Sequence, residues 1–362
     1  MKRSVSLQKS KVKGVKTLNM PQAAMLLRWY DQYRRILPWR ALPGVIPDPY
    51  PVWLSEIMLQ QTTVAAVGPY YQKFLKRWPT IHHLAKAPLN QVLQMWAGLG
   101  YYRRAHSLHE CAKHICANWN GRFPETYESL LLLPGFGPYT AAAVGAIAFN
   151  QRTNVVDGNV ERVMARIFAV RTPLPQAKLK LRDLAAGLLP KARYGDYAQA
   201  LMDLGATICT PRNPKCDLCP WNKSCQARAL GIQEKLPRRE KAKARPIRQT
   251  LAFIVVNRKN EILLRQRPKT GLLGGMMEVP SSEWREELIS AKTQKDAPVK
   301  ARWKVLPGHV QHVFTHFELN ISVAIAATTK PVKGKWVALH RLDKEALPSV
   351  MRKIIRHALS YI

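Results

Sequence analysis

The sequence predicts two dissimilar parts. The first is an all-helical region from about Pro21 to Gln226, and the second is a small mixed α/β domain at the C-terminal end. Three observations carry this reading. Apolar residues recur at spacings of three and four through the first part. The composition breaks at Lys235–Arg248, which holds seven basic residues, one acid, Pro237 and Pro246. Such a stretch reads as an extended connector. Beyond it the period becomes that of strands, in Gln249–Val256, Glu261–Arg267 and Phe317–Ala326. A chain of 362 residues, 47% of them hydrophobic, is comfortable for two domains. The expected division is a tail over 1–18, a helical region over 19–228, a connector over 229–248 and a final domain over 249–362.

Residues 1–16 contain Lys2, Arg3, Lys9, Lys11, Lys13 and Lys16 without an acid, so a disordered basic tail is expected. Pro21–Tyr30 opens the helical pattern, and Pro51–Val67, Leu89–Trp96, Arg104–Trp119 and Thr140–Ala148 continue it. Gly68-Pro69, Pro88, Gly98–Gly100, Gly121 and Pro134–Pro138 punctuate these helices. Val160–Phe168 and Leu179–Leu189 add two more, and the last fifteen or so residues read as a final helix. The longest apolar stretches, Ala141–Phe149 and Ile321–Ala327, fall well short of the roughly eighteen residues a membrane span needs. The first residues lack the apolar core of a signal peptide. With reduced cysteines, an intracellular protein without membrane association is expected. The compartment would be the bacterial cytoplasm and nucleoid, or the nucleus or mitochondrion of a eukaryote.

Charge narrows the partners. Lys and Arg number 57 against 23 Asp and Glu, a formal net charge of +34. That excess repels itself in a folded chain, and its usual use is to hold an anionic polymer through phosphate contacts and counterion release. Nucleic acid is the expected partner.

Four cysteines, Cys209, Cys216, Cys219 and Cys225, follow the spacing C-x6-C-x2-C-x5-C. The segment 209–225 is short, basic and rich in Pro and Asn, so it can wrap a compact inorganic core. Four thiolates are the ligand set of a four-iron cluster, and the spacing points to one such 4Fe–4S cofactor. Zinc is the main rival, although four-Cys zinc sites more often show two short Cys pairs. Two disulfides are the plainest reading and fit an intracellular chain least. Cys111 and Cys116 are expected to be core thiols.

Leu133–Ala141 is a glycine-rich turn feeding a helix. Gly135 and Gly137 let the backbone approach a ligand, and the helix start offers free N–H groups. Together they suit a DNA phosphate, although a bare connector would look similar. Glu56 lies in the apolar helical stretch Val52–Thr62. Acids on apolar faces are rarely buried without a purpose, and burial would keep this carboxyl protonated near neutral pH. Asp157 precedes Gly158 and a helix, so a simple cap is its plainest reading. One protonated and one ionised carboxyl form the pair that breaks a glycosidic bond.

In this order, the Glu56 helix, the Pro134-Gly135-Phe136-Gly137 turn, Asp157 and the four-Cys loop resemble the helix-hairpin-helix DNA glycosylases with an iron–sulfur cluster. Leu37-Pro38-Trp39-Arg40, the Glu56 segment and Gly98–Arg103 look like the adenine-specific, MutY-type branch. The resemblance continues through Gly271–Pro280 and His312–Phe317. It implies an all-α helix-hairpin-helix catalytic region with an iron–sulfur loop and a Nudix-like C-terminal domain. It also implies a monomer acting on double-stranded DNA that contains A:8-oxoguanine or A:G mispairs. By matching position, Glu56 would protonate adenine at its ring nitrogen seven. Asp157 would stabilise the cation-like sugar, with Tyr139 and Asn159 supporting the site. Trp39 and Arg40 would line the base pocket. Gln60 or Gln61 and Tyr101, with Leu99 beside them, would fill or wedge the gap opposite, and Thr62 would join them in binding the DNA.

Two departures refine the resemblance. Related lyases carry Lys at the position of Tyr139, and a phenol cannot form a Schiff base, so a monofunctional enzyme is implied. Related thymine glycosylases also lack that Lys, but they lack the Glu56 carboxyl and the C-terminal domain as well. In the Nudix-like domain, Arg285-Glu286-Glu287 is only a fragment of the metal-binding run, so binding without hydrolysis is expected. The family's Phe-Ser-His loop, which reads 8-oxoguanine, becomes Phe314-Thr315-His316. The reader's role then falls to Thr315 and His316. The rival class is a non-catalytic iron–sulfur DNA-binding protein, which would have no need of both acids.

Overall fold

A computed structural model describes residues 18–240, 244–287 and 295–361. The basic tail expected over 1–18 lies outside the described residues except for its last position. In chain order the helices are α1 (Ala23–Tyr33), α2 (Pro49–Leu59), α3 (Val64–Arg77), α4 (Ile81–Lys86), α5 (Leu89–Trp96), α6 (Arg103–Trp119), α7 (Tyr127–Leu131), α8 (Pro138–Phe149), α9 (Gly158–Ile167), α10 (Lys178–Ala186), α11 (Tyr194–Asp203) and α12 (Gln226–Ala229). The apolar pattern predicts one helical stretch over Pro51–Val67. The chain instead breaks after Leu59, where Gln61 takes a left-handed φ of 56°, and Thr63 caps α3 by accepting from the Ala66 N–H. Helix α3 then runs through Pro69, which the sequence suggested as punctuation.

The chain folds into two compact units. The first gathers the chain up to Trp53, 124–132 and the stretch from Phe136 to the connector. Its core joins Leu26 and Tyr30 of α1 to Val160 and Met164 of α9, Leu181 of α10, Leu201 of α11 and Trp221 of the cysteine loop. Helix α8 is buried through Thr140–Ala146, as befits a helix that is apolar all round. Gly195 lets α11 close on it, because a Cβ there would stand 2.7 Å from the Ala146 carbonyl oxygen. A turn of π-helix over Leu204–Ile208 carries α11 into the cysteine loop.

The second unit holds Leu54–Phe123, Leu133–Gly135 and the C-terminal domain. That domain contains β1 (Ile247–Val256), β2 (Glu261–Gln266), β3 (Met277–Glu278), β4 (Lys304–Val305), β5 (Val310–Val313), β6 (Glu318–Ala327), β7 (Lys335–Ala338) and α13 (Ser349–Leu359). The sheet runs β3-β2-β1-β6-β4, with β5 on β6 and β7 on β2. Its centre is the parallel pair β1–β6, in register from Ile247↔Glu318 to Val256↔Ala327. Val350, Met351, Ile354 and Ile355 of α13 complete the core against Leu319, Ile321 and Val323 of β6. Cys111 is fully buried as expected, whereas Cys116 departs from expectation. Cys116 is only partly buried, and its Sγ lies 3.4 Å from His82 Nδ1.

Candidate active site and cysteine loop

Glu56 sits on the one stretch of α2 that is buried on every side. Val52, Trp53, Leu54, Ser55, Ile57 and Met58 are all buried, and Glu56 itself is 5% exposed. A period-two or period-three count cannot single out an acid on such a helix. The signal is the acid itself among apolar neighbours.

Asp157 is built differently. It caps α9, and its Oδ1 accepts from the Val160 N–H at 2.8 Å. Its Oδ2 accepts from Asn159 Nδ2 at 2.9 Å. Asn159 Oδ1 in turn accepts from Arg162 at 2.8 Å, and Arg162 also donates to the carbonyls of Cys209 (2.8 Å) and Gly205 (2.6 Å). A chain of hydrogen bonds therefore runs from the Asp157 carboxylate to the first cysteine of the loop. Gly205 makes room for it, since a Cβ there would meet the Asn159 Cβ at 2.6 Å. Tyr139 stands one residue inside α8 and packs on the apolar cluster of Ala142, Ala146, Val155 and Ala198.

The hairpin before α8 turns at Gly135, whose φ is +78° and whose missing side chain admits Ser107. Gly137 caps the helix and Pro138 occupies its first turn. Phe136 is buried and stacks on Trp53, with ring centroids 6.2 Å apart.

The four cysteines line one cavity, shared with Arg166, Ile208, Pro214 and Arg228. Among the described residues no three His, Cys, Asp or Glu side chains are set for a single metal ion. Burial, and then the neighbouring cysteines, push the Cys219 thiol up to about 12, and Cys216 and Cys225 are raised for the same reasons. Four sulfurs so placed suit a cluster whose iron supplies the compensating positive charge. Arg166, 1% exposed, is the scaffold of the loop. It donates to the carbonyls of Thr210 (2.7 Å), Pro211 (3.0 Å), Cys209 (3.2 Å) and Leu236 (3.0 Å), and to the Cys209 Sγ at 3.3 Å.

Trp39 is buried. Arg40 forks onto the fully buried Asp203 at 2.6 and 2.8 Å, and Arg35 Nε reaches the same carboxylate at 2.5 Å. Two arginines on one carboxylate satisfy a charge that could not otherwise be buried.

The remaining sequence-selected residues gather around Arg104 of α6. Its guanidinium donates to the carbonyls of Ile57 (2.7 Å), Met58 (3.1 Å) and Gln60 (2.6 Å), which close the end of α2. It also reaches the carbonyls of Leu99 and Gly100 at 3.2 Å and the Thr62 hydroxyl at 3.4 Å. The same guanidinium lies 5.3 Å from the Trp96 ring and 5.5 Å from that of Tyr101. Burial lowers its pKa to about 10. Tyr101 has a left-handed φ of 48° and is 45% exposed, and its hydroxyl is 3.0 Å from the Thr315 hydroxyl. Thr315 and His316 occupy the exposed tip of the β5–β6 hairpin. Sequence reading missed Arg104, Arg162, Arg166, Asp203 and Gly205. In a chain with 57 Lys and Arg, no single arginine announces itself.

Residues 54–190 match the HhH-GPD superfamily of base excision DNA repair proteins, 209–225 the iron-sulfur binding domain of endonuclease III, and 251–357 a NUDIX domain. The human adenine DNA glycosylase is 37% identical over 91% of this chain and 72% of its own length. The adenine DNA glycosylase of Buchnera aphidicola subsp. Baizongia pistaciae is 31% identical over 91% of this chain and 94% of its own. Among solved structures, a thermostable thymine-DNA glycosylase is 32% identical, covers 57% of this chain and 95% of its own, and superposes with a TM-score of 0.51. Among the described residues no helix is long and apolar enough to cross a membrane.

Proposed function

The chain belongs to the adenine DNA glycosylase family, an enzyme of base excision repair that acts on DNA and carries an iron–sulfur cluster, and from that premise we propose that it releases adenine mispaired with 8-oxoguanine or guanine. The observation that carries the proposal is the contrast between two carboxyls. Glu56 is buried on a helix whose residues Val52, Trp53, Leu54, Ile57 and Met58 are buried too, while both oxygens of the part-buried Asp157 accept hydrogen bonds, from the Val160 N–H and from Asn159 Nδ2. Two carboxyls in different settings can divide acid and stabiliser roles.

Glu56 delivers a proton to adenine at ring nitrogen seven, which turns the base into a neutral leaving group. As the glycosidic bond breaks, positive charge develops on the sugar. Asp157, oriented by Asn159 and the Val160 N–H, stabilises that charge. Tyr139 supports the site and, having no amine, forms no Schiff base. Water completes the hydrolysis and an abasic site remains. The base must first leave the stack, at a cost of a few kcal/mol. Gln60, Gln61, Thr62, Leu99 and Tyr101 occupy the space it vacates, and Thr315 and His316 read the base opposite. Gly135, Gly137 and the start of α8 hold a backbone phosphate. Trp39 and Arg40 support the base pocket, Arg40 through its grip on Asp203.

Cys209, Cys216, Cys219 and Cys225 hold the cofactor as one 4Fe–4S cluster. When bound, the cluster cross-links four points of the loop and presents the exposed Arg212, Lys215 and Lys223 to the DNA backbone. The enzyme acts as a monomer. By function we divide the chain into a glycosylase region over 19–228, a connector over 229–248 and a lesion-reading domain over 249–362, a division that the two compact units do not follow.

Product analysis tests the reading. Duplex DNA with adenine opposite 8-oxoguanine should yield free adenine and a strand that breaks only on heating in base. Strand scission without that treatment would contradict the monofunctional mechanism, and intact adenine would contradict the substrate.

A further inference from the structure

The hairpin tip that carries Thr315 and His316 is held from several directions. Its closing strand pair is Val313↔Glu318, and the Phe314 N–H donates to the Phe317 carbonyl at 2.9 Å. Thr315 and His316 are therefore the two central residues of a tight four-residue turn, both exposed. Beneath it, Phe314 and Phe317 stack at 4.8 Å, and Trp284 lies 5.6 and 6.1 Å from them. An exposed polar turn of this length is ordinarily among the more mobile parts of a sheet protein. Its orientation depends on what grips it from outside.

Tyr101 meets the Thr315 hydroxyl at 3.0 Å, and the backbone and the base of the turn are gripped by the basic connector. The Glu318 N–H donates to the Pro246 carbonyl at 2.9 Å, which leads the connector into the parallel β1–β6 pair. On either side of Pro246 stand two arginines. Arg248 places its guanidinium 4.6 Å from the Phe317 ring centroid. Arg245 donates from Nε to the Thr315 carbonyl at 3.2 Å. That carbonyl belongs to the central peptide of the turn, so the bond fixes the plane from which both the Thr315 and the His316 side chains depart.

We propose that Arg245 and Arg248 are positioning residues that orient the 314–317 turn for reading the base opposite adenine, so that the connector sets lesion specificity. The proposal rests on the reading of Thr315 and His316 given above. Guanine presents a bare ring nitrogen seven as an acceptor, whereas 8-oxoguanine carries a hydrogen there and an oxygen at carbon eight. Telling the two apart means matching one donor against one acceptor, which demands polar atoms set to within fractions of an ångström. A turn whose central peptide is loosened still meets the DNA but no longer distinguishes the two bases. An arginine acting only as a phosphate contact would instead weaken both substrates equally and flatten the salt dependence.

The test is single-turnover adenine release by the full-length, cluster-loaded protein. It uses two duplexes, with adenine opposite 8-oxoguanine and opposite guanine, across a salt series. Arg245→Ala should lower the 8-oxoguanine-to-guanine rate ratio about tenfold, the worth of one charge-assisted hydrogen bond. Arg245→Lys, which keeps a cationic donor, should restore most of it. Arg248→Leu should lower the ratio about threefold through the lost cation–π contact. A ratio unchanged in Arg245→Ala, or equal losses on both duplexes with a shallower salt dependence, would overturn the proposal. Thr315→Ala and His316→Ala separate the two layers. If they lower the ratio and Arg245→Ala does not, the positioning role alone fails. If they leave the ratio unchanged, the turn does not read the base and the proposal falls with that reading.

Discussion

Arg104 and Arg166 gather backbone carbonyls in the same way, one in each compact unit, yet their networks end in different places. From Arg104 the contacts lead outward, to the half-exposed Tyr101 and through its hydroxyl to Thr315 at a hairpin tip. Arg166 holds the interior of the cysteine loop, and Arg162, one helical turn earlier, links the same Cys209 carbonyl to Asn159 and Asp157. On the proposed function, the first network serves recognition at the surface. The second ties the Asp157 carboxylate to the loop that carries the four cysteines. Damage to one should appear in binding and discrimination, and damage to the other in stability and chemistry together.

The largest difference should come from deleting each guanidinium. Arg166→Met strands several buried carbonyls and should cost about 3–5 kcal/mol, with loss of iron on purification, read by thermal unfolding and iron content. Arg104→Met should keep its iron and lose duplex affinity instead. Equal iron loss in both variants would erase the distinction. A milder probe is Gly205→Ala, which pushes a methyl group against Asn159. Overpacking there should cost about 1–3 kcal/mol, with a fall in the release rate through misplacement of Asp157 and unchanged duplex binding. If release stays at the wild-type rate, Asn159 does not orient the carboxylate.

The smallest effect concerns pH in the second unit. His109 is buried on α6, and its ring nitrogen lies 2.8 Å from the Ala87 carbonyl. Burial, and less strongly Lys113, lower its pKa below the ordinary 6.5, against the opposing pull of that carbonyl. The unfolded chain therefore binds a proton more readily than the folded one. The His109 contribution to stability is full above pH 6.5 and declines as pH falls below it. Urea midpoints at pH 7.5 and 5.5 should drop further for the wild type than for His109→Gln, and identical drops would remove His109 from the account.

Much of this architecture was legible beforehand, for definite reasons. Apolar periodicity marked α5, α6 and α9 because each buries one stripe, and the cysteine spacing marked its loop although short 3-10 turns lie over Cys216–Leu218 and Asn222–Ser224. Glu56 stood out because an acid among Val52, Trp53, Leu54, Ile57 and Met58 breaks the pattern of its helix. The break at Gln60–Thr63 was missed because it rests on a left-handed residue and on Arg104, more than forty positions away, closing the carbonyls. Arg162, Arg166 and Asp203 were missed for a related reason. Their partners are distant in the chain, and a basic residue in a basic protein reads first as a DNA contact. Cys116 reads as a core thiol in the sequence because helical spacing alone does not show that its face is only partly covered, with His82 at 3.4 Å.

The division of labour between Glu56 and Asp157 is tested most directly by Glu56→Gln. Single-turnover adenine release and duplex affinity are measured on the same cluster-loaded preparation, with adenine opposite 8-oxoguanine. Loss of a general acid should slow release about 10³-fold while the dissociation constant stays within about threefold of wild type, since the neutral amide keeps the shape of the buried side chain. Release at the wild-type rate, or affinity lost in step with rate, would contradict the assignment of the proton to Glu56.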